Sequence, residues 1–177
     1  MSEKQEDLRA LLQQLRDGVL PPANLMQDAT YHAIHELGRA RIEDAIPTIE
    51  QYLTHEDGEY RYIALEVLTN HFHLRQHWST AVYALRHDSN EHVRMGAAAA
   101  LAYLMADTKD PATFRELAIT LSNADEDYHV RSAAWAAMRA VLHYDAHEQL
   151  NLAINSLHLE RDVDWESVRK YLPLNAK

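Results

Sequence analysis

The chain has 177 residues, a length typical of one domain, and 47% of them are hydrophobic, as is ordinary for a folded globular protein. It contains no cysteine, which excludes disulfide bonds, thiolate metal sites and a cysteine nucleophile. Its 27 acidic and 17 basic residues give a net charge of −10. That charge disfavours nucleic-acid binding, which needs a clustered cationic face to displace counterions from phosphates.

The first predicted element is an amphipathic helix over residues 3–17. Four leucines recur there at three- and four-residue steps between positions 8 and 15, which is the helical period. Gly18 is expected to end this helix, because glycine readily adopts the left-handed conformation that closes helices. Two prolines at positions 21 and 22 then separate the helix from the rest of the chain.

A motif of the form D-x-x-Φ-R-x-x-A-x-x-x-L, in which Φ is apolar, recurs along the rest of the chain. Its arginines are Arg61, Arg94 and Arg131, and Thr30 takes the same place in a degenerate first copy. The spacings between these four positions are 31, 33 and 37 residues. A period of this length indicates one supersecondary unit that is stacked repeatedly, and the apolar spacing within each copy predicts a helix.

A second amphipathic segment follows each copy of the motif. Every such segment places three core positions at i, i+3 and i+7, which predicts a second helix in each unit. The segments are residues 42–53, 76–86, 111–121 and 146–157. The four resulting helix pairs are residues 24–54, 57–87, 88–122 and 125–157.

Two of the helix starts carry explicit capping signals. Asp88 with Glu91 three residues later predicts a capping box, and Asp110 before Pro111 predicts an N-cap followed by proline in the first turn. A last helix is predicted over residues 163–172. We expect this helix and the amino-terminal one to cap the two ends of the stack, since an open end would expose its core.

With these motifs in view, the chain resembles HEAT repeats, and in particular the short bacterial type found in phycobilin lyases of the E/F class. The copies at residues 91–101 and 127–138 match D-x-x-V-R-x-x-A-x-x-A-L best, and the resemblance covers residues 24–157. It implies an all-α fold, a right-handed α-solenoid of about four antiparallel helix pairs with capping helices, within a single domain of residues 1–177. It does not fix a function, because HEAT repeats serve in scaffolds, adaptors, lyase subunits and a few enzymes.

The motif arginines admit two interpretations. They could form a ladder of guanidinium groups that grips an acidic ligand. The favoured alternative is that each arginine hydrogen-bonds an acidic or carbonyl group in the adjacent repeat and so fixes the stacking.

No catalytic or metal site is expected from the sequence. No serine lies in a G-x-S-x-G motif, and no glycine-rich phosphate loop is present. HEAT-type di-iron hydroxylases carry a His-Glu pair on several repeats, and here His35-Glu36 is one such pair. The equivalent positions of the later copies are Glu66-Val67, Ala99-Ala100 and Ala136-Ala137. One pair cannot hold two irons, and His71 and His73 are expected on different faces of a helix, so no cofactor is predicted.

A partner-binding face is predicted from the resemblance, since second helices line the concave face of HEAT stacks. Two columns of outward positions follow from the alignment of the second helices. They are Thr48, Gln51, Thr80, Tyr83, Glu116, Ile119, Leu152 and Asn155. Tyr83, Ile119 and Leu152 are apolar or amphipathic at outward positions, as interface anchors are. The alternative is that these three side chains pack between helices.

The function predicted from these features is that of a non-enzymatic scaffold or adaptor that binds another protein on an acidic concave face. The alternative, suggested by the resemblance alone, is a lyase- or chaperone-like protein that handles a tetrapyrrole-bearing partner. No apolar stretch approaches the ~18 residues that span a bilayer, and no signal peptide is recognisable. We therefore expect a cytoplasmic bacterial protein that contacts neither membrane nor nucleic acid.

Overall fold

The structure, a computed structural model, describes residues 3–20, 28–142 and 158–173. Across these ranges the chain forms ten α-helices, and no strand occurs in them. The helices are α1 (Glu3–Asp17), α2 (Ala29–Arg39), α3 (Ile46–Glu50), α4 (Gly58–Glu66), α5 (Trp78–His87), α6 (Glu91–Met105), α7 (Pro111–Ser122), α8 (Tyr128–Leu142), α9 (Leu159–Asp162) and α10 (Trp165–Arg169). The all-α fold expected from the helical periods is confirmed.

The chain divides into two compact units, residues 1–74 and 75–177. In the first unit, α1 packs on α2, and α2 packs on α4 and on a π-helical turn over Val67–His71 that continues α4. The predicted second helix of this unit consists of α3 flanked by 3-10 turns over Glu43–Ala45 and Gln51–Thr54. Leucines from α1 and aliphatic side chains from α2, α3 and α4 form one core.

In the second unit, α5 packs on α6, and α8 packs on both α6 and α7. The neighbouring helices α6 and α8 are rich in alanines that are fully buried, and this small side chain lets helix backbones approach closely at no cost in side-chain entropy. Larger side chains from α7, among them Phe114, Leu117 and Leu121, fill the remaining core.

The two ends of the chain take up the capping roles expected of them within their own units. Leu12 and Leu15 of α1 are buried in the first core. At the other end, Val168 of α10 is buried, and the ring of Tyr171 stacks on Phe114 with the centroids 4.8 Å apart. The predicted helix over residues 163–172 is shorter in the structure, where α10 runs from Trp165 to Arg169. It begins after Asp164, whose carboxylate accepts a hydrogen bond from the Ser167 amide.

The capping signals were partly correct. Asp110 accepts a hydrogen bond from the Thr113 amide at 2.7 Å, and Pro111 is the first residue of α7, as predicted. The predicted capping box at Asp88 is wrong, because Asn90 is the N-cap of α6. The carboxylate of Asp88 instead accepts from the Asn90 amide at 2.9 Å in a turn before the helix, a role that suits aspartate equally well. Gly18 has φ +66° and follows the last residue of α1, as expected.

Two predicted segments fall outside the described residues: the second helix at residues 146–157 and the start of the first repeat at residues 24–27. Within the described residues, no helix has the length and apolar character needed to cross a membrane.

The motif arginines bind carbonyl groups at the ends of the preceding second helices. Arg61 Nη1 donates to the carbonyl of His55 at 2.7 Å, and Arg94 Nη1 donates to that of Asp88 at 2.8 Å. Arg131 Nε donates to the carbonyl of Leu121 at 3.0 Å. These carbonyls have no partner within their own helix, so the arginines satisfy acceptors that would otherwise need water.

Arg94 makes an additional bond to the next repeat. Its Nε and Nη2 atoms bind the carboxylate of Glu126 at 2.8–3.2 Å, in the paired geometry that suits a guanidinium. The two side chains are only 17% and 13% exposed. The interpretation of these arginines as stacking residues is therefore confirmed for Arg94 and Arg131, which bridge adjacent repeats.

The first copy lacks the arginine and uses a different bond. Tyr60 of α4 donates its hydroxyl to Asp28 Oδ2 at 2.6 Å, while Asp28 caps α2 by accepting from the Tyr31 amide. Burial, together with this bond to Asp28, raises the pKa of Tyr60 to about 12. The hydroxyl therefore stays protonated and keeps donating throughout the neutral range.

We expect Arg94→Ala to lower the free energy of unfolding by about 2 kcal/mol, because it removes four hydrogen bonds and leaves the half-buried Glu126 carboxylate without its counter-ion. Urea unfolding followed by circular dichroism measures this loss. Arg115→Ala is the matched control, since Arg115 is exposed on α7 and its loss should change stability by at most about 0.5 kcal/mol. Equal effects from the two substitutions would contradict the stacking role.

A second prediction concerns Gly38, the point of close approach between α2 and the π-helical turn. A Cβ atom at Gly38 would collide with both methyl groups of the buried Val67. We expect Gly38→Ala to destabilise the protein by roughly 1–2 kcal/mol, because the crowding outweighs the gain in helix propensity. In a Val67→Ala background the same substitution should cost clearly less, and an unchanged cost would rule out this contact as the cause.

Candidate partner-binding face

The predicted partner-binding residues of the second unit lie on α5 and α7, two second helices of successive repeats that contact each other. Near their amino ends, the Trp78 indole N–H of α5 donates to Thr113 Oγ1 of α7 at 2.8 Å. Further along, Arg86 of α5 forms an ion pair with Glu116 of α7. These two contacts hold the helices side by side.

On α5, Tyr83 points away from the core. Ala81 and Leu85 are buried on the inner side of the helix, and Tyr83 lies on the opposite side with 68% of its surface exposed. Its ring contacts the imidazole of His87, with the centroids 5.0 Å apart. The outward position predicted for Tyr83 is what the structure shows, whereas Thr80 is half-buried.

On α7, Ile119 lies at the position equivalent to Tyr83. Leu117 and Leu121 are buried on the inner side of this helix, and Ile119 is half-buried on its outer side. Glu116 is half-buried as well, since the side chain that pairs with Arg86 is only 13% exposed. We call the surface formed by Thr80, Tyr83, Glu116 and Ile119 the α5–α7 face.

The charge of this face differs from that of the chain. The charged side chains of α5 and α7 are those of Arg86, Arg115 and Glu116, with His87 beside them. Glu116 is neutralised by Arg86, so the two helices contribute no excess of negative charge at the face itself.

The remaining predicted residues lie elsewhere. Thr48 of α3 is 7% exposed, and its hydroxyl accepts from Arg16 Nε at 3.3 Å, so it is covered by α1. Gln51 is exposed, and together with Thr48 it lines a cavity of about 610 Å³ beside Gly18 at the end of α1. Leu152 and Asn155 lie outside the described residues.

Sequence reasoning missed a cluster of titratable side chains in the first unit. The imidazoles of His35 and His71 are 5.8 Å apart between centroids, and His71 Nε2 lies 3.8 Å from Glu66 Oε1. Glu66 is further bound by Asn70 Nδ2 at 3.0 Å. The π-helical turn brings Glu66 and His71, five residues apart, onto one side of α4, which a 3.6-residue period does not predict.

The charged groups of this cluster act on the pKa of His71. Burial lowers the pKa of His71, and the positive charges of His35, Arg39 and Arg41 act in the same direction, while Glu66 opposes them. No set of three His, Asp or Glu side chains within the described ranges is arranged to hold a metal ion.

Comparison with known proteins identifies the repeat type. The family model for HEAT repeats matches residues 46–139, which is more than half of the chain. No curated protein matches the chain at a significant level. No solved structure matches it either.

The lowered pKa of His71 predicts a pH dependence of stability. The unfolded chain binds a proton on this histidine near pH 6.5, and the folded chain binds it only at lower pH. The free energy of unfolding should therefore be highest above pH 6.5 and fall as the pH decreases below that value. Urea unfolding between pH 7.5 and 5 measures this slope. His71→Gln should flatten this slope, whereas the control His73→Gln, at an exposed histidine, should leave the slope unchanged. Equal slopes in the two variants would exclude His71 as the source.

Proposed function

The chain belongs to the HEAT-repeat family, and we propose that it is a non-enzymatic scaffold or adaptor that binds another protein through the α5–α7 face. HEAT repeats commonly serve as protein-interaction scaffolds. The observation that carries the proposal is Tyr83, a large aromatic side chain that is 68% exposed at the middle of a well-anchored helix.

Tyr83 has the properties of an interface anchor. Tyrosine offers a large apolar ring with a polar hydroxyl and few rotatable bonds, so it buries much area at a small entropic cost. Ile119, half-buried at the equivalent position of the next repeat, adds an aliphatic side chain to the same face. A partner that covers both side chains would remove from water the exposed apolar surface of two neighbouring helices.

The rigidity of the face supports the same role. The Trp78–Thr113 hydrogen bond and the Arg86–Glu116 ion pair fix α5 against α7 before any partner arrives. A preformed surface binds more tightly than a mobile one, because less conformational entropy is lost on association. Gln51, Leu152 and Asn155 stay partner-binding residues predicted from the sequence alone. Thr48 is better explained by its contact with Arg16.

The charge argument for this proposal rests on the net charge of the whole chain and not on the charge of the α5–α7 face. The net charge of −10 favours encounter with a basic partner. Because α5 and α7 do not carry that charge, the acidic surface that this proposal includes is supplied by neighbouring elements. We further propose that the protein acts in the cytoplasm.

A role toward a tetrapyrrole-bearing partner is a separate hypothesis that rests on the resemblance to phycobilin lyases. A coloured ligand that copurifies with the chain would support it.

We expect the double substitution Tyr83→Ala, Ile119→Asp to abolish capture of a partner protein, because it removes both apolar anchors. The measurement is an affinity pull-down from host lysate, with native mass spectrometry of the eluate. Val19→Ala is the matched control, since Val19 is an apolar side chain with 64% exposure in the first unit. The proposal fails if no protein is captured, or if the double variant and the control capture the same partner equally.

A further inference from the structure

Arg131 is bound differently from the equivalent arginine of the preceding repeat. Arg94 uses one edge of its guanidinium on a backbone carbonyl and the other edge on the carboxylate of Glu126. Arg131 occupies the same place in the next copy and donates from Nε to the carbonyl of Leu121. In the described part of the chain, no carboxylate lies within ion-pair distance of Arg131.

A cavity opens beside Arg131. It has a volume of about 290 Å³ and is lined by Tyr128, Arg131, His158, Leu159, Glu160 and Trp165. This volume is at the lower end of the range for small-molecule sites, roughly 300–1,000 Å³. The cavity lies entirely within the second unit.

The chemistry of the lining is specific. Arg131 supplies a half-buried guanidinium whose Nη atoms can donate two parallel hydrogen bonds, the arrangement that recognises a carboxylate. Trp165 and Tyr128 supply aromatic walls, and Trp165 is held in place because its indole N–H donates to the Leu159 carbonyl at 3.1 Å. His158 lines the same cavity.

We propose that this cavity binds a small aryl carboxylate, whose carboxylate accepts hydrogen bonds from the Nη atoms of Arg131, since Nε is already bound to the Leu121 carbonyl. The aromatic part of the ligand packs against Trp165 and Tyr128. The preceding repeat gives a precedent for the pairing, since Arg94 binds a carboxylate of the protein there, through Nε and Nη2 rather than through two Nη atoms. Glu160, which also lines the cavity, repels the ligand and limits its affinity.

The test is a titration of the ¹⁵N-labelled full chain, followed by NMR at the Trp165 indole N–H and the backbone amides of α8 and α9. Phenylacetate is the probe, and phenylacetamide and acetate are the controls. We expect saturable shifts with phenylacetate, no comparable shifts with the amide, and at least tenfold weaker binding of acetate. Equal binding of phenylacetate and phenylacetamide, or no binding of either, would overturn the proposal.

Variants separate the site from a general effect of charge. Arg131→Gln should weaken phenylacetate binding at least tenfold, whereas Arg139→Gln, an exposed arginine of the same helix, should leave it unchanged. Since Arg131→Gln also loosens the start of α8, Glu160→Gln provides an independent test that leaves the Leu121 bond intact. It should tighten binding two- to fivefold, and a weaker or unchanged affinity would count against the assignment.

The source of the carboxylate can be resolved by the same titration. A peptide that ends in a free carboxyl-terminal phenylalanine is compared with its terminal amide and with phenylacetate. Tighter binding of the free-acid peptide assigns the site to a polypeptide terminus, and tighter binding of phenylacetate assigns it to a free metabolite. Both results agree with the proposal that the cavity recognises an aryl carboxylate. If the peptide amide binds as tightly as the free-acid peptide, the proposal is wrong.

Discussion

The structure depends on the bond between each motif arginine and a carbonyl group at the end of the second helix before it. A helix leaves its last four carbonyl groups without partners, and in a stack of short helices these ends recur every repeat. The arginine satisfies one of them and at the same time places a positive charge at the negative end of the helix dipole. Each of the three arginines, Arg61, Arg94 and Arg131, is the fourth residue of a first helix. Its bond to the carbonyl therefore fixes where that first helix begins relative to the second helix before it.

Once the starts of the first helices are fixed, the alanines determine the rest of the second unit. With α6 and α8 in register, their buried alanines allow a close approach that larger side chains would prevent. The second helices α5 and α7, which follow α4 and α6 in their repeats, contact each other, and Tyr83 and Ile119 hold equivalent positions on them. The α5–α7 face proposed for partner binding therefore follows from the stacking of the repeats, with no additional structural element.

The sequence was sufficient for the features that repeat and insufficient for those that occur once. The alternation of first and second helices follows from the apolar spacing, and α7 begins at Pro111 after the N-cap Asp110, as its local sequence predicts. The cap of α6 was misassigned because Asp88 and Asn90 are both good caps, and only their backbone conformations distinguish them. Thr48 was expected to point outward, but α1 covers it, and that contact joins residues about 30 positions apart. The approach of His35 to His71 depends on the π-helical turn, which no regular period reveals.

The net charge of a repeat protein says little about the charge of any one surface. Much of the ionic chemistry here is internal: Arg94 and Glu126 bind each other, and Arg86 neutralises Glu116 on the α5–α7 face. Each of these ion pairs contributes nothing to the net charge and little to the field that a partner meets. Within the described residues, Arg94 has a partner carboxylate and Arg131 has none, so Arg131 keeps its bond to the Leu121 carbonyl and, in our proposal, offers its Nη atoms to a ligand. The same motif residue can thus stabilise the stack in both repeats and also bind a ligand in one of them.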